Sequence, residues 1–207
     1  MGRTAIFALL AGLALFMAPV SASSNELLPE TPIGDDGMHK PDWFVQSFLD
    51  LGDDLSEAAD EGKGLVVIFE QSGCPYCREL HRVNLRDPEI VGYIKERFNV
   101  LQLDLNGSRE VTDFDGEAME ERALARRWNV IFTPTVLFFP ADSSAEEGKT
   151  GMQLSAMTVP GYFKPFHFVT MFEYISDGHH EKEHFQKFLN ARADRLRAEG
   201  KDVSIWE

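Results

Sequence analysis

The chain has two cysteines, Cys74 and Cys77, separated by Pro75-Tyr76 at the point where a short apolar run gives way to a helix. That placement constrains the fold more than any other feature. Leu65-Val66-Val67-Ile68-Phe69 is continuous, apolar and β-branched in its middle, the pattern of a strand buried on both faces. Gln71-Ser72-Gly73 breaks it. Pro75 then stands near the start of a helix that continues through Cys77, Leu80 and His81 to about Leu85. Unpaired N–H groups and the positive dipole end at the first turn of a helix favour a thiolate. Two intervening residues let the sulfurs bridge. Cys74, at the helix end, therefore reads as the nucleophile of a redox pair, and Cys77, one turn in, as the more protected resolving thiol. A lone C-x-x-C lacks the second pair of a zinc site, and Arg78 stands where a haem attachment requires His. A small inert disulfide is the plain alternative.

The remaining elements alternate between helix and strand. Trp43, Phe44, Phe48, Leu51, Leu55 and Ala58 recur at helical spacing and predict an amphipathic helix from Pro41-Asp42 to about Asp60. Asp87-Pro88-Glu89 opens another helix, and Asn99 to Leu105 alternates as a strand. Asn106 to Gly116 reads as a polar loop and Glu117 to Trp128 as a helix. Val136 to Phe139 is a third buried strand, and the alternation of Met152, Leu154, Ala156 and Thr158 predicts a fourth over 151–158. Two helices follow, Pro165 to Ser176 and Glu181 to Ala198. The βαβ half implies a parallel pair with a crossover, and the later adjacent strands an antiparallel hairpin. The expected fold class is α/β: a mixed four- to five-stranded sheet with helices on both faces and extra N-terminal and C-terminal helices. No internal repeat and no domain boundary follows residue 41.

The N-terminus reads as an address. Arg3 precedes an almost wholly apolar run from Ala5 to Val20, and Val20-Ser21-Ala22 offers small residues for cleavage, the order of a secretory signal peptide over 1–22. An uncleaved anchor is the alternative. Residues 23–41, rich in Pro, Gly, Ser and acid, read as a flexible leader, and 42–207 as the folded domain with a C-terminal helical extension. The expectation is an exported, periplasmic protein without stable membrane insertion after cleavage, in a compartment where disulfides persist. With 20 Lys and Arg against 34 Asp and Glu, the net charge of −14 opposes nucleic-acid binding.

Phe69-Glu70-Gln71-Ser72-Gly73-Cys74-Pro75-Tyr76-Cys77, followed by Thr133-Pro134-Thr135, resembles the thioredoxin superfamily, and within it the periplasmic SoxW-like thioredoxins associated with bacterial sulfur oxidation. The resemblance covers roughly residues 42–178. It implies that Pro134 is a cis-proline facing the cysteine pair and that Thr133 offers backbone hydrogen bonds to an extended substrate segment. Gly161 is similar to the glycine that lets backbone pass near the site. It also implies a thiol–disulfide oxidoreductase, most simply a reductase of protein disulfides, fed by a membrane electron donor of the CcdA or DsbD type. No dinucleotide fingerprint is present, so the expectation is no cofactor besides the redox-active pair. A DsbA- or DsbC-like oxidase or isomerase and a copper-binding carrier using Cys74 and Cys77 are the competing readings.

The departures matter. The buried Asp that thioredoxin carries six residues before its first Cys is Ile68 here. Glu70 is the candidate substitute for proton transfer, with simple exposure at a strand end as its alternative. His81 shares a helical face with both cysteines. It can favour their thiolates, join them as a soft-metal ligand, or simply pack beneath the helix. Arg78 reads as a surface charge or an aid to substrate electrostatics, and Tyr76 as an exposed contact with partner proteins. The Pro-Tyr dipeptide is also that of glutaredoxins, yet the sequence offers no evident basic pocket for glutathione's carboxylates. No protein metal site is expected. The acidic stretch from Asp104 to Glu117 resembles a fragment of a calcium loop without its full spacing and reads as solvated.

Overall fold

The computed structural model describes residues 26–143, 148–201 and 203; the signal segment 1–22 lies outside them. Its elements run α1 (Leu51–Asp60), β1 (Gly64–Glu70), α2 (Pro75–Arg82), α3 (Pro88–Arg97), β2 (Phe98–Asp104), β3 (Glu110–Thr112), β4 (Ala118–Glu120), α4 (Glu121–Arg127), β5 (Thr135–Phe139), α5 (Gly151–Leu154), β6 (Met157–Pro160), α6 (Pro165–Ser176) and α7 (Phe185–Ala198). The main sheet has the order β2-β1-β5-β6. β1 pairs with β2 in parallel and with β5 antiparallel, and β5 pairs antiparallel with β6. This is the mixed sheet the sequence predicts, with four strands. A separate two-stranded ribbon joins β3 and β4.

β1 is buried along its whole length because both faces of the sheet are covered. Val66 and Ile68 point into a cluster with Leu80, Ile94, Phe138 and Phe172. Leu65, Val67 and Phe69 point the other way, onto Leu55, Leu103, Trp128 and Phe139. The period of two distributes alternate side chains to opposite cores, and each large apolar side chain so buried contributes about 1.5–3 kcal/mol. Among the described residues no helix is long and apolar enough to cross a membrane.

Four expectations are corrected. The first helix starts at Leu51, not at Asp42. Asp50 caps it, accepting hydrogen bonds from the N–H groups of Gly52 (3.0 Å) and Asp53 (3.1 Å). The preceding Leu49 has a φ of 65° and its carbonyl accepts from Thr112 N, so the chain cannot run into the helix smoothly, and Phe48 is left wholly exposed. The strand expected over 151–158 is α5 followed by β6. Gly151 packs under the Trp128 indole, where a Cβ would collide, and Thr150 and Gln153 form a capping box. The helix expected from Glu117 begins at Glu121, because residues 118–120 pair with 110–112. Finally, residues 28–40 are not loose but form a strap laid on the domain. Ile33 and His39 bridge antiparallel, Leu28 exchanges hydrogen bonds with Arg86, and Met38 is buried.

The acidic stretch is only partly solvated. Asp113 is buried and accepts from the Trp128 indole N–H (3.0 Å), Gly151 N (2.9 Å) and the Arg127 guanidinium (2.7 Å).

One carboxylate of α1 makes stability pH-dependent. Burial lifts Asp54 to about 6; the Ser47 hydroxyl opposes the rise, and Glu57, Asp50 and Asp53 add to it. The folded chain thus holds a proton that the unfolded chain has released, so this contribution to stability is present below about pH 4 and lost as pH rises through 6. Asp54→Asn should stabilise the protein at neutral pH by about 1 kcal/mol, discounted for the solvent-facing part of the group. Urea unfolding should show that gain vanishing near pH 4.

Candidate active site

β1 delivers the chain to the site and α2 carries it away. The turn between them uses Gly73 at φ 70°, a conformation that favours glycine. Cys74 is the residue that caps α2, with extended backbone angles, and its sulfur accepts the Cys77 N–H at 3.0 Å. Pro75 at the first helical position removes an N–H that would have had no partner. Cys74 and Cys77 form a disulfide, with Cα atoms 5.3 Å apart. Both cysteines are largely buried, Cys74 at 8% exposure and Cys77 at 3%.

Facing the pair is the loop before β5. The Thr133-Pro134 peptide bond is cis. The Thr133 hydroxyl donates to Cys74 Sγ at 3.3 Å, and the Thr133 carbonyl lies 3.5 Å from that sulfur, within reach of its S–H when the pair is reduced. Gly161 N–H donates to the Pro134 carbonyl at 2.7 Å, which ties β6 to this loop, and the φ of 91° there suits glycine. Tyr76, Ile131 and Phe132 are exposed around the pair at 62%, 67% and 60%.

Behind the cysteines lies a buried polar network. Glu70, the last residue of β1, is not exposed at the strand end but 1% accessible. Its carboxylate accepts from His81 Nε2 at 2.9 and 3.0 Å and from the Gln102 amide. His81 is equally buried, on the inward face of α2, and its Nδ1 has no hydrogen-bond partner. His39, from the strap, stacks on His81 with ring centroids 4.6 Å apart. Burial holds His39 below its ordinary titration range; His81 and Arg78 add to the effect and Glu70 opposes it. Gln102 also donates to the His39 carbonyl (2.9 Å) and accepts from Lys40 Nζ (2.8 Å). Glu70, His39, Met38 and both cysteines border one cavity of about 230 Å³.

The structure therefore brings together Cys74, Cys77, Thr133 and Pro134 at one face and Glu70 with His81 behind it. His81 turns to Glu70 and not to the sulfurs. Among the described residues no group of three or more His, Cys, Asp and Glu is arranged to hold a metal ion. Sequence reading misses His39 and Gln102. Gln102 carried a signal, a polar residue inside the apolar run of β2; His39 carried none, since it reaches the site only through the folding of the strap.

A strand–C-x-x-C–helix junction opposite a cis-proline, on a mixed sheet covered by helices, defines a thiol–disulfide oxidoreductase. The thioredoxin-like domain model matches residues 51–176, and the chain belongs to that family. No curated protein matches it in sequence. Among solved structures, a thioredoxin-fold protein from Helicobacter pylori is 22% identical, with 73% of this chain and 92% of that one covered and a TM-score of 0.50. A thioredoxin from Thermus thermophilus is 22% identical over 61% and 83% of the two chains, with a TM-score of 0.46. The C-terminal domain of DsbD from Neisseria meningitidis, in its oxidised form, is 21% identical over 58% and 85%, with a TM-score of 0.38. At its identity the Helicobacter pylori structure is a likeness of fold alone.

Proposed function

We propose that the protein is an exported reductase of protein disulfides, with Cys74 as nucleophile and Cys77 as resolving thiol. The observation that carries this reading is the Cys74 sulfur at the helix end, receiving the Cys77 N–H at 3.0 Å and the Thr133 hydroxyl at 3.3 Å. Both donors stabilise negative charge on that sulfur.

The reduced Cys74 thiolate attacks one sulfur of a client disulfide. The client bond breaks, its second sulfur leaves as a thiolate that takes up a proton, and a mixed disulfide forms. Cys77 then loses its proton, attacks Cys74 Sγ and releases the client's first sulfur as a thiol. Two electrons pass to the client, and the Cys74–Cys77 disulfide remains. Glu70 is the base for Cys77: both residues border the same cavity beside the disulfide. His81 and Gln102 are positioning residues that hold the carboxylate. Thr133 and Pro134 present the backbone edge to an extended client segment, and Tyr76 contacts it. No further cofactor enters the exchange. Re-reduction falls to a partner protein, by the resemblance a membrane donor of the CcdA or DsbD type, and the clients by the same resemblance include thiols of sulfur-carrying or cytochrome-maturation proteins.

The donors at Cys74 also favour a second reading. By stabilising the reduced form they make the pair more oxidising, as in an oxidase or isomerase. The reduction potential decides. Equilibration in thiol redox buffers, read by alkylation and gel shift, should give a value near −270 mV, about that of thioredoxin. A value near −120 mV, about that of DsbA, would overturn the reductase reading.

A further inference from the structure

The cavity beside the disulfide does not end there. It adjoins a second one of about 210 Å³, bordered by Arg78, His81, Arg82 and Arg86, and Ile33, His39 and Arg78 border both. The two form one trough that starts at the sulfurs and ends among arginines. Arg78 and Arg82 stand one turn apart on α2, and Arg86, in the turn after that helix ends, borders the same cavity. The strap closes the other side. In a chain of net charge −14, this brings three arginines together beside the redox site, two of them paired with carboxylates.

The arginines differ in commitment. Arg86 is fixed by the Leu28 carbonyl at 2.7 Å and stands 3.4 Å from Glu30, a rim carboxylate that is itself 82% exposed. Arg82 pairs with Glu79 at the surface, at 3.0 Å. Arg78 is exposed, adjacent to Cys77, and has no carboxylate partner among the described residues. His81 lines the same wall with its unpartnered Nδ1. Sequence reading found no basic pocket here because two of its walls, α2 and the strap, are about forty residues apart in the chain; folding makes one.

We propose that this trough takes low-molecular-weight thiols and disulfides that carry a carboxylate, with the ligand sulfur at Cys74 and the carboxylate on Arg78 and Arg82. The inference rests on the redox reading of the cysteine pair and names a small-molecule substrate class for it. The ligand thiolate attacks Cys74 Sγ. The Cys74–Cys77 bond breaks, Cys77 leaves as a thiolate and takes a proton, and a ligand–Cys74 disulfide forms. A second ligand thiolate attacks the ligand sulfur, releasing Cys74 as a thiolate and a ligand disulfide. Two thiols lose two electrons and the protein disulfide gains them; the reverse sequence reduces the ligand disulfide.

The test uses the oxidised full chain and three thiols of different charge: glutathione (anionic), 2-mercaptoethanol (neutral) and cysteamine (cationic). Reduction is followed by alkylation and gel shift. The quantity read is the glutathione rate divided by the 2-mercaptoethanol rate, in wild type and in the Arg78→Ser/Arg82→Ser double variant. Taking this ratio between proteins cancels the intrinsic reactivity of each thiol. The ratio should fall about tenfold in the variant at low salt, the size expected for losing two exposed charge contacts. The cysteamine ratio should move the opposite way, and both shifts should shrink in 1 M salt, where screening acts within about 3 Å. Unchanged ratios, with reduction by all three thiols intact, would overturn the anion site alone. Failure of wild type to be reduced by any of them would overturn the redox reading and the substrate proposal with it.

Discussion

Cys74→Ser and Cys77→Ser should fail in different ways. In insulin reduction assays the Cys74 variant should fall to the uncatalysed background, a loss of about a thousandfold or more, because no other sulfur stands at the end of α2. The Cys77 variant should keep the first step and lose the second. It should accumulate a one-to-one mixed disulfide with a client chain, visible by mass and released by a small thiol. The asymmetry follows from position. Cys74 caps the helix and faces the Thr133 loop, whereas Cys77 lies a turn deeper, with its backbone N–H committed to the other sulfur. Were the Cys74 variant to trap the client instead, the two roles would be reversed. Equal, partial losses in both would mark the pair as a staple.

Glu70→Gln should produce the second large effect, and it should fall on one step only. A positioned general base contributes typically 10²–10⁴-fold, so resolution of the mixed disulfide should slow by at least about a hundredfold while attack by Cys74 is little changed. Stopped-flow separation of the two steps reads this directly. A purely structural role for Glu70 would slow both steps together. The amide also has one oxygen where His81 and Gln102 both donate to a carboxylate, so the variant should lose about 1–3 kcal/mol of stability. Circular dichroism of the folded variant keeps the two effects apart. In the variant the second step should become proportional to hydroxide concentration, since Cys77 must then lose its proton to solvent.

How much of this was legible in the sequence depended on the range of the signal. The strand over 65–69, the helix behind it, the cysteine pair and the Thr-Pro dipeptide are local patterns, and each is found where the pattern implies. The errors came where a tertiary contact outranked periodicity. Phe48 fits a helical face in sequence, yet Leu49 turns to a positive φ and Asp50 captures the first N–H groups, so the helix starts late. Residues 151–154 alternate like a strand, yet Gly151 sits against Trp128 and α5 forms. Glu70 was legible as a candidate by its spacing from Cys74, but its burial depended on Gln102 and His81, which only the parallel pairing of β1 and β2 and the placement of α2 bring to it. His39 and the arginine trough required the strap to fold back over α2, and a leader rich in Pro, Gly and acid gives no periodic sign of doing so.

The strap has a consequence for how such a protein diversifies. Residues 51–176 match the family's domain, yet Ile33, Gly37, Met38 and His39, which wall the cavity beside the sulfurs, come from outside that stretch. The cysteine pair and part of the cavity wall beside it therefore come from different stretches of the chain. Substitutions in the strap should reshape that wall without changing the sequence of the strand, the helix or the cis-proline loop. The strap is thus a wall of the site that the family's domain does not itself supply.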